Sequence, residues 1–155
     1  MHIHIHAIGT IGDAWLNTAI QAYQKRIPKP FSLSIHDYTT PKRFKHAKVA
    51  NLQAEESRLL LQSSQSSDIL VYLDERGESY ASPTFSKKIQ QWQLHAHTLR
   101  FLIGGPDGHC RTALKQANTT LSLSKMTLPH ALARLILVEQ IYRAIMIQNN
   151  HPYHR

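Results

Sequence analysis

Hydrophobic and polar positions change rhythm repeatedly along this chain, and the rhythm alternates between two periods. Residues 2–8 alternate strictly, with His2, His4 and His6 on one face and Ile3, Ile5 and Ala7 on the other, the period of a strand. A Gly9-Thr10-Ile11-Gly12 turn follows, and Asp13 stands where it can cap a helix running to about Ile27. In that helix Trp15, Ala19, Ala22, Tyr23 and Ile27 recur at three- and four-residue spacings, and Pro28 and Pro30 end it. Residues 31–38 read as a second strand, 39–46 as a basic loop carrying Pro41, and 47–62 as a helix. A polar Ser/Gln linker leads into 69–74, a continuous apolar run of the kind buried on both faces of a parallel sheet. Arg76, Gly77 and Glu78 read as a loop, and Ser82-Pro83 opens a helix to about Ala96. A buried strand at 99–103 stops at Gly104-Gly105-Pro106. A short helix near 110–117, a strand at 119–123 and a long helix at 130–148 complete the series. This alternation predicts an α/β fold, a mainly parallel sheet with helices on both faces. No repeat or linker divides the chain, so residues 1–155 are read as a single domain.

Charge adds a partner to this picture. The net charge is +8 and the pI about 9.8, which predicts attraction to polyanions without choosing among RNA, DNA and membrane. The excess is local: Lys25, Arg26, Lys29, Lys42, Arg43, Lys45 and Lys48 face one acid, Asp37, and after Asp107 the only acid is Glu139. With 42% hydrophobic and 18% charged residues the composition is globular. Cys110 is the only cysteine, so no intramolecular disulfide forms and a reducing cytosol is expected. No secretory leader is legible, and no apolar run approaches the roughly 18 to 20 residues that span a bilayer. A cytoplasmic protein with no membrane partner is the expectation.

Ligands of open α/β sheets bind beyond the C-terminal ends of the strands. Three such ends are visible: Leu73-Asp74, Gly104-Gly105-Pro106-Asp107-Gly108, and residues 123–128. The glycine spacing is neither a dinucleotide fingerprint nor a Walker loop. On its own it is compatible with a plain turn. Its glycines would also let a ligand approach the main chain.

The wider pattern is more specific. The glycine loop, the Leu-Ser-Lys-Met-Thr-Leu-Pro-His run (123–130), the helix with Arg134, Glu139, Tyr142 and Arg143, and the ending Asn150-His151-Pro152-Tyr153-His154-Arg155 resemble one family along the whole chain. It is the small SPOUT-class methyltransferase family that modifies N3 of a pseudouridine in large-subunit (23S) ribosomal RNA. The resemblance implies a deep C-terminal trefoil knot, a homodimer, and the ribosome or large subunit as substrate, with no DNA. It implies S-adenosyl-L-methionine as methyl donor, held by Leu73, Gly104, Gly105, Leu123, Ser124, Lys125, Met126, Thr127 and Leu128. The last helix is apolar around most of its circumference, which independently calls for cover from a second subunit.

For the reaction, one proton must leave N3, and a histidine, with its ordinary pKa of about 6.5, suits that role. His130 and His154 are the base candidates and Arg134 the candidate stabiliser of the anionic ring. Arg143, His151, Tyr153 and Arg155 are expected to grip RNA through cationic contacts and stacking. The Glu139/Arg143 pair at i,i+4 also reads as a simple helix salt bridge. Other open readings are a related methyltransferase for tRNA, a non-catalytic ribosome-binding factor and a metal-binding protein using the N-terminal histidines. The His2/His4/His6 row reads as a solvated or sheet-edge feature. It has no Cys or carboxylate partners, so no metal is expected. Cys110 is expected to pack rather than react.

Overall fold

The computed structural model describes residues 1–39 and 48–154, His154 by its backbone alone. Lys42, Arg43 and Lys45 of the expected basic loop, and Arg155 of the tail, lie outside the described residues. The elements run β1 (His2–Ile8), α1 (Ala14–Arg26), β2 (Ser32–Tyr38), α2 (Val49–Leu61), β3 (Ile69–Ser79) and α3 (Ser82–His95). They continue with β4 (Thr98–Ile103), α4 (Arg111–Leu114), β5 (Thr119–Ser122), α5 (His130–Gln148) and a closing 3-10 turn (Pro152–His154). The five strands form one all-parallel sheet in the order β2-β1-β4-β3-β5.

Period-two patterning divides the core in two. Ile3, Ile5 and Ala7 of β1, with Leu99, Phe101 and Ile103 of β4, pack with residues of α1, α3 and α5. Ile8, Tyr72 and Leu102 point the other way, against Leu60 of α2 and Ala113 of α4. Helices therefore cover both faces, as the alternation predicts.

Three expectations need correction. Arg76, Gly77 and Glu78 belong to β3, which runs on to Ser79. Leu73 and Glu78 both lie opposite Leu121, so the intervening residues are pushed out of the ladder as a bulge. Asp13 occupies the N-cap of α1 but makes no capping bond through its side chain. Nor does the histidine row lie at a sheet edge: β2 is the edge strand and β1 is interior, and along the row exposure falls from His2, which is exposed, through half-exposed His4 to His6, which is 1% exposed.

Candidate functional site

A cleft of about 310 Å³ opens at the C-terminal ends of β3, β4 and β5. Leu73 to Arg76, residues 103–108, residues 121–124 and 126–128, His130 and Ala133 line it. All three strand ends singled out from the sequence thus meet in one place. Eight of the nine expected donor contacts line the cleft, and Lys125, which is exposed, does not. The second loop is held by its own hydroxyls: Ser122 Oγ donates to the Ser124 carbonyl (2.9 Å), and Ser124 Oγ accepts the Met126 N–H (2.9 Å).

The glycine loop has a structural reason that the sequence did not reveal. A Cβ on Gly105 would overlap the Glu56 carboxylate, and one on Gly104 would sit 3.0 Å from His109 Cε1. The missing side chains make room for protein behind the loop, and main chain is left facing the cleft. Glu56, buried in α2, accepts the Gly105 N–H (3.2 Å). Gln53 Nε2 donates to the Asp107 carbonyl (2.8 Å), and Ser57 Oγ contacts Cys110 Sγ (3.3 Å). One helix therefore clamps the loop at three points, and Cys110 packs there as expected.

His130 starts α5 at the rim of the cleft. Burial, then the charge of Arg134, holds its pKa below the ordinary histidine range, so the ring is neutral near pH 7 and able to accept a proton. Arg134 is 1% exposed and does not line the cleft. Its guanidinium pairs with Asp37 (2.8 Å) and donates to the Gly9 carbonyl (3.1 Å), tying α5 to the ends of β1 and β2. Asp74, also at the cleft, takes a two-pronged bond from Arg76 (2.9 Å each) that lowers its pKa.

The tail forms a second cluster. Arg143 pairs with Glu139 (2.7 Å) and donates to the Tyr153 carbonyl (3.3 Å). The Tyr153 hydroxyl meets that of Tyr23 (3.2 Å) and donates to Glu139 (3.4 Å). The Arg26 guanidinium lies 4.7 Å from the ring centroids of both Tyr23 and Tyr142, within cation–π reach. His151 is exposed, and its Nδ1 accepts the Tyr153 N–H (3.2 Å). The structure thus joins Arg143 to Tyr153. None of residues 139–153 lines the cleft of the same chain.

Residues 1–154 match the family described as "Predicted SPOUT methyltransferase". The chain is similar over its full length to proteins named "Ribosomal RNA large subunit methyltransferase H". It is 39% identical over 155 residues to that of Coxiella burnetii (100% of both chains). It is 38% identical to that of Saccharophagus degradans (100% of both) and 37% to that of Hydrogenovibrio crunogenus (100% of this chain, 99% of the relative). The chain belongs to the SPOUT methyltransferase family.

A SPOUT methyltransferase uses a donor of the S-adenosylmethionine type, and the cleft suits one. Leu73, Ile103, Leu121, Leu123 and Leu128 supply apolar walls, and the two loops close the space between them. Among the described residues, no helix is long and apolar enough to cross a membrane. Sequence reasoning missed the Glu56 clamp, the Asp37–Arg134 pair and Arg26 between its tyrosines. Glu56 carried a signal, since it shares one helical stripe with Leu52 and Leu60.

Proposed function

We propose that this chain methylates N3 of a pseudouridine in 23S rRNA, using S-adenosyl-L-methionine and acting on the assembled ribosome or large subunit. The observation that carries the reading is the cleft at three adjacent strand ends, with a neutral histidine at its rim, in a chain similar end to end to named large-subunit rRNA methyltransferases. Leu73, Gly104, Gly105 and residues 123–128 hold the donor. The donor supplies a sulfonium-activated methyl group, so the protein has to align an in-line attack and remove one proton. His130 accepts that proton through a ring nitrogen. Arg134 acts from behind His130: burial first, and then the Arg134 charge, lowers the imidazole pKa, and the ion pair of Arg134 with Asp37 fixes the helix that carries it. Arg143, His151, Tyr153 and Arg155 grip the RNA, and His154 is the second base candidate.

The working unit is a cytoplasmic homodimer of single-domain subunits, each with a deep trefoil knot in its C-terminal part. The apolar residues of α5 that stay half-exposed, Leu132, Leu135, Ile136 and Ile147, support a subunit contact. The separation of tail and cleft within one chain supports a site completed by the partner.

The test is transfer from labelled S-adenosylmethionine to ribosomes lacking the modification, with free rRNA and tRNA in parallel and the labelled nucleoside identified. N3-methylpseudouridine formed with ribosomes or large subunits alone is the expected result. Label on tRNA alone would replace the substrate, and equal rates on free rRNA would remove the need for an assembled particle. His130→Ala and His154→Ala, both retaining full single-turnover rates, would move the base elsewhere.

A further inference from the structure

We propose that His4, His6 and His36 form a site for one divalent transition-metal ion, of the zinc, nickel or cobalt class, on the α2-facing side of the sheet. The sequence row of histidines lacked a ligand from elsewhere in the chain, and the fold supplies it. His36 on β2 lies opposite His6 in the parallel ladder, and His4 shares their face two residues upstream. The ligand nitrogens of the three rings all lie within 4.8 Å of one another. His4 Nδ1 and His36 Nε2 are already 3.0 Å apart. Around a tetrahedral ion with Zn–N of about 2.0 to 2.1 Å, neighbouring nitrogens sit roughly 3.3 Å apart. Small side-chain rotations therefore complete the set.

The chemistry of each ring fits. His6 lies between the Tyr38 hydroxyl at Nδ1 (2.8 Å) and Arg100 Nη1 at Nε2 (2.8 Å). The guanidinium has only N–H groups, so Nε2 is the acceptor and Nδ1–H donates to Tyr38. This is the outer contact that orients a ligating imidazole. An ion bound at Nε2 takes the place of Arg100 Nη1, so the guanidinium turns away from His6 as the ion enters. Ser63 Oγ (3.0 Å), the Asp68 carboxylate (2.6 Å) and the Ser63 carbonyl (2.7 Å) are the partners that hold it through that movement. Asp68 also balances the guanidinium charge beside the site. In the His4–His36 contact, whichever ring donates moves its proton to its other nitrogen, and both lone pairs then face the ion with no change in protonation. Neutral nitrogen ligands select imidazole-preferring ions over magnesium and calcium.

The test uses the untagged full chain, stripped with chelator. Zn²⁺ is titrated against a chromogenic competitor, and Co²⁺ is followed by its visible d–d absorption. The expected result is one equivalent per chain, with a cobalt spectrum of low-coordinate nitrogen ligation and a Tm raised by Zn²⁺ but not by Mg²⁺. His4→Gln and His36→Gln, at half-exposed positions and checked for folding by circular dichroism, each lower Zn²⁺ affinity by at least about tenfold. His95→Gln, at an exposed position on α3, leaves it unchanged. Absence of stoichiometric binding, or binding retained in both His4→Gln and His36→Gln, overturns the proposal.

Discussion

Gly105 and Glu56 stand 49 positions apart, yet each limits what the other can become. A side chain at 105 would enter the space of a buried carboxylate that is itself bonded to the Gly105 N–H. Gly105→Ala is therefore expected to destabilise the chain by about 1 to 3 kcal/mol, the usual cost of overpacking, and to weaken donor binding. Urea unfolding and calorimetric titration with S-adenosylmethionine read the two effects. Adding Glu56→Ala opens the space again, so the double variant should lose less than the sum of the single changes. His109 gives a second residue-scale prediction. It is 6% exposed, edge-on to the Tyr72 ring, and burial lowers its pKa. The unfolded chain takes up its proton near pH 6.5 and the folded chain only at lower pH. Its stabilising contribution is thus full above about 6.5 and is lost as pH falls toward the lowered folded value. Between pH 6.5 and 5 the stability of His109→Gln should fall less steeply than that of the wild type, by up to about 1.4 kcal/mol per pH unit. Urea midpoints across that range check it. The strand-end residues of the cleft were legible because their types are unusual where they stand. The Arg134–Asp37 pair was not, because a contact across 97 positions leaves no local pattern.

Elements were more legible than the connections between them. Each strand and helix of the sheet was visible in its own period, since burial on one face or both dictates where apolar residues fall. The order β2-β1-β4-β3-β5 was not visible, because parallel strands carry no marker of their neighbours. The bulge in β3 escaped for a related reason. Arg76-Gly77-Glu78 has the composition of a loop, and only the presence of β5 turns it into paired strand. Gly77 is the residue that permits this. A Cβ there would meet the Thr120 carbonyl oxygen at 2.6 Å and the Leu121 carbonyl carbon at 2.8 Å, both backbone atoms that cannot swing aside. Gly77→Ala should separate the end of β3 from β5 at a cost of about 1 to 3 kcal/mol. Hydrogen exchange should show the loss of protection confined to β5 and residues 77–79, with β1 and β4 unaffected. Uniform loss across the sheet would contradict this account.

At the scale of the whole molecule, cleft and tail occupy different places on one chain, and the proposed dimer brings the tail of one subunit to the cleft of the other. The half-exposed apolar face of α5 is the surface that has to be covered. Ile136→Lys puts a charge there, and it is expected to shift the protein to monomer in light scattering while circular dichroism stays native. Methyl transfer should then vanish although no cleft residue on the strand ends has changed. Subunit mixing tests the arrangement more directly. Gly104→Val crowds His109 and the glycine loop and should disable the cleft, while Arg143→Ala removes the link between α5 and Tyr153 and should disable the tail. Each variant alone is expected to be inactive as a homodimer. Co-expressed, they form heterodimers in which the intact tail of the Gly104→Val subunit can serve the intact cleft of the Arg143→Ala subunit. Recovered transfer in the isolated heterodimer is the expected result. If tail and cleft of one chain serve each other, no heterodimer contains a complete site and activity stays absent.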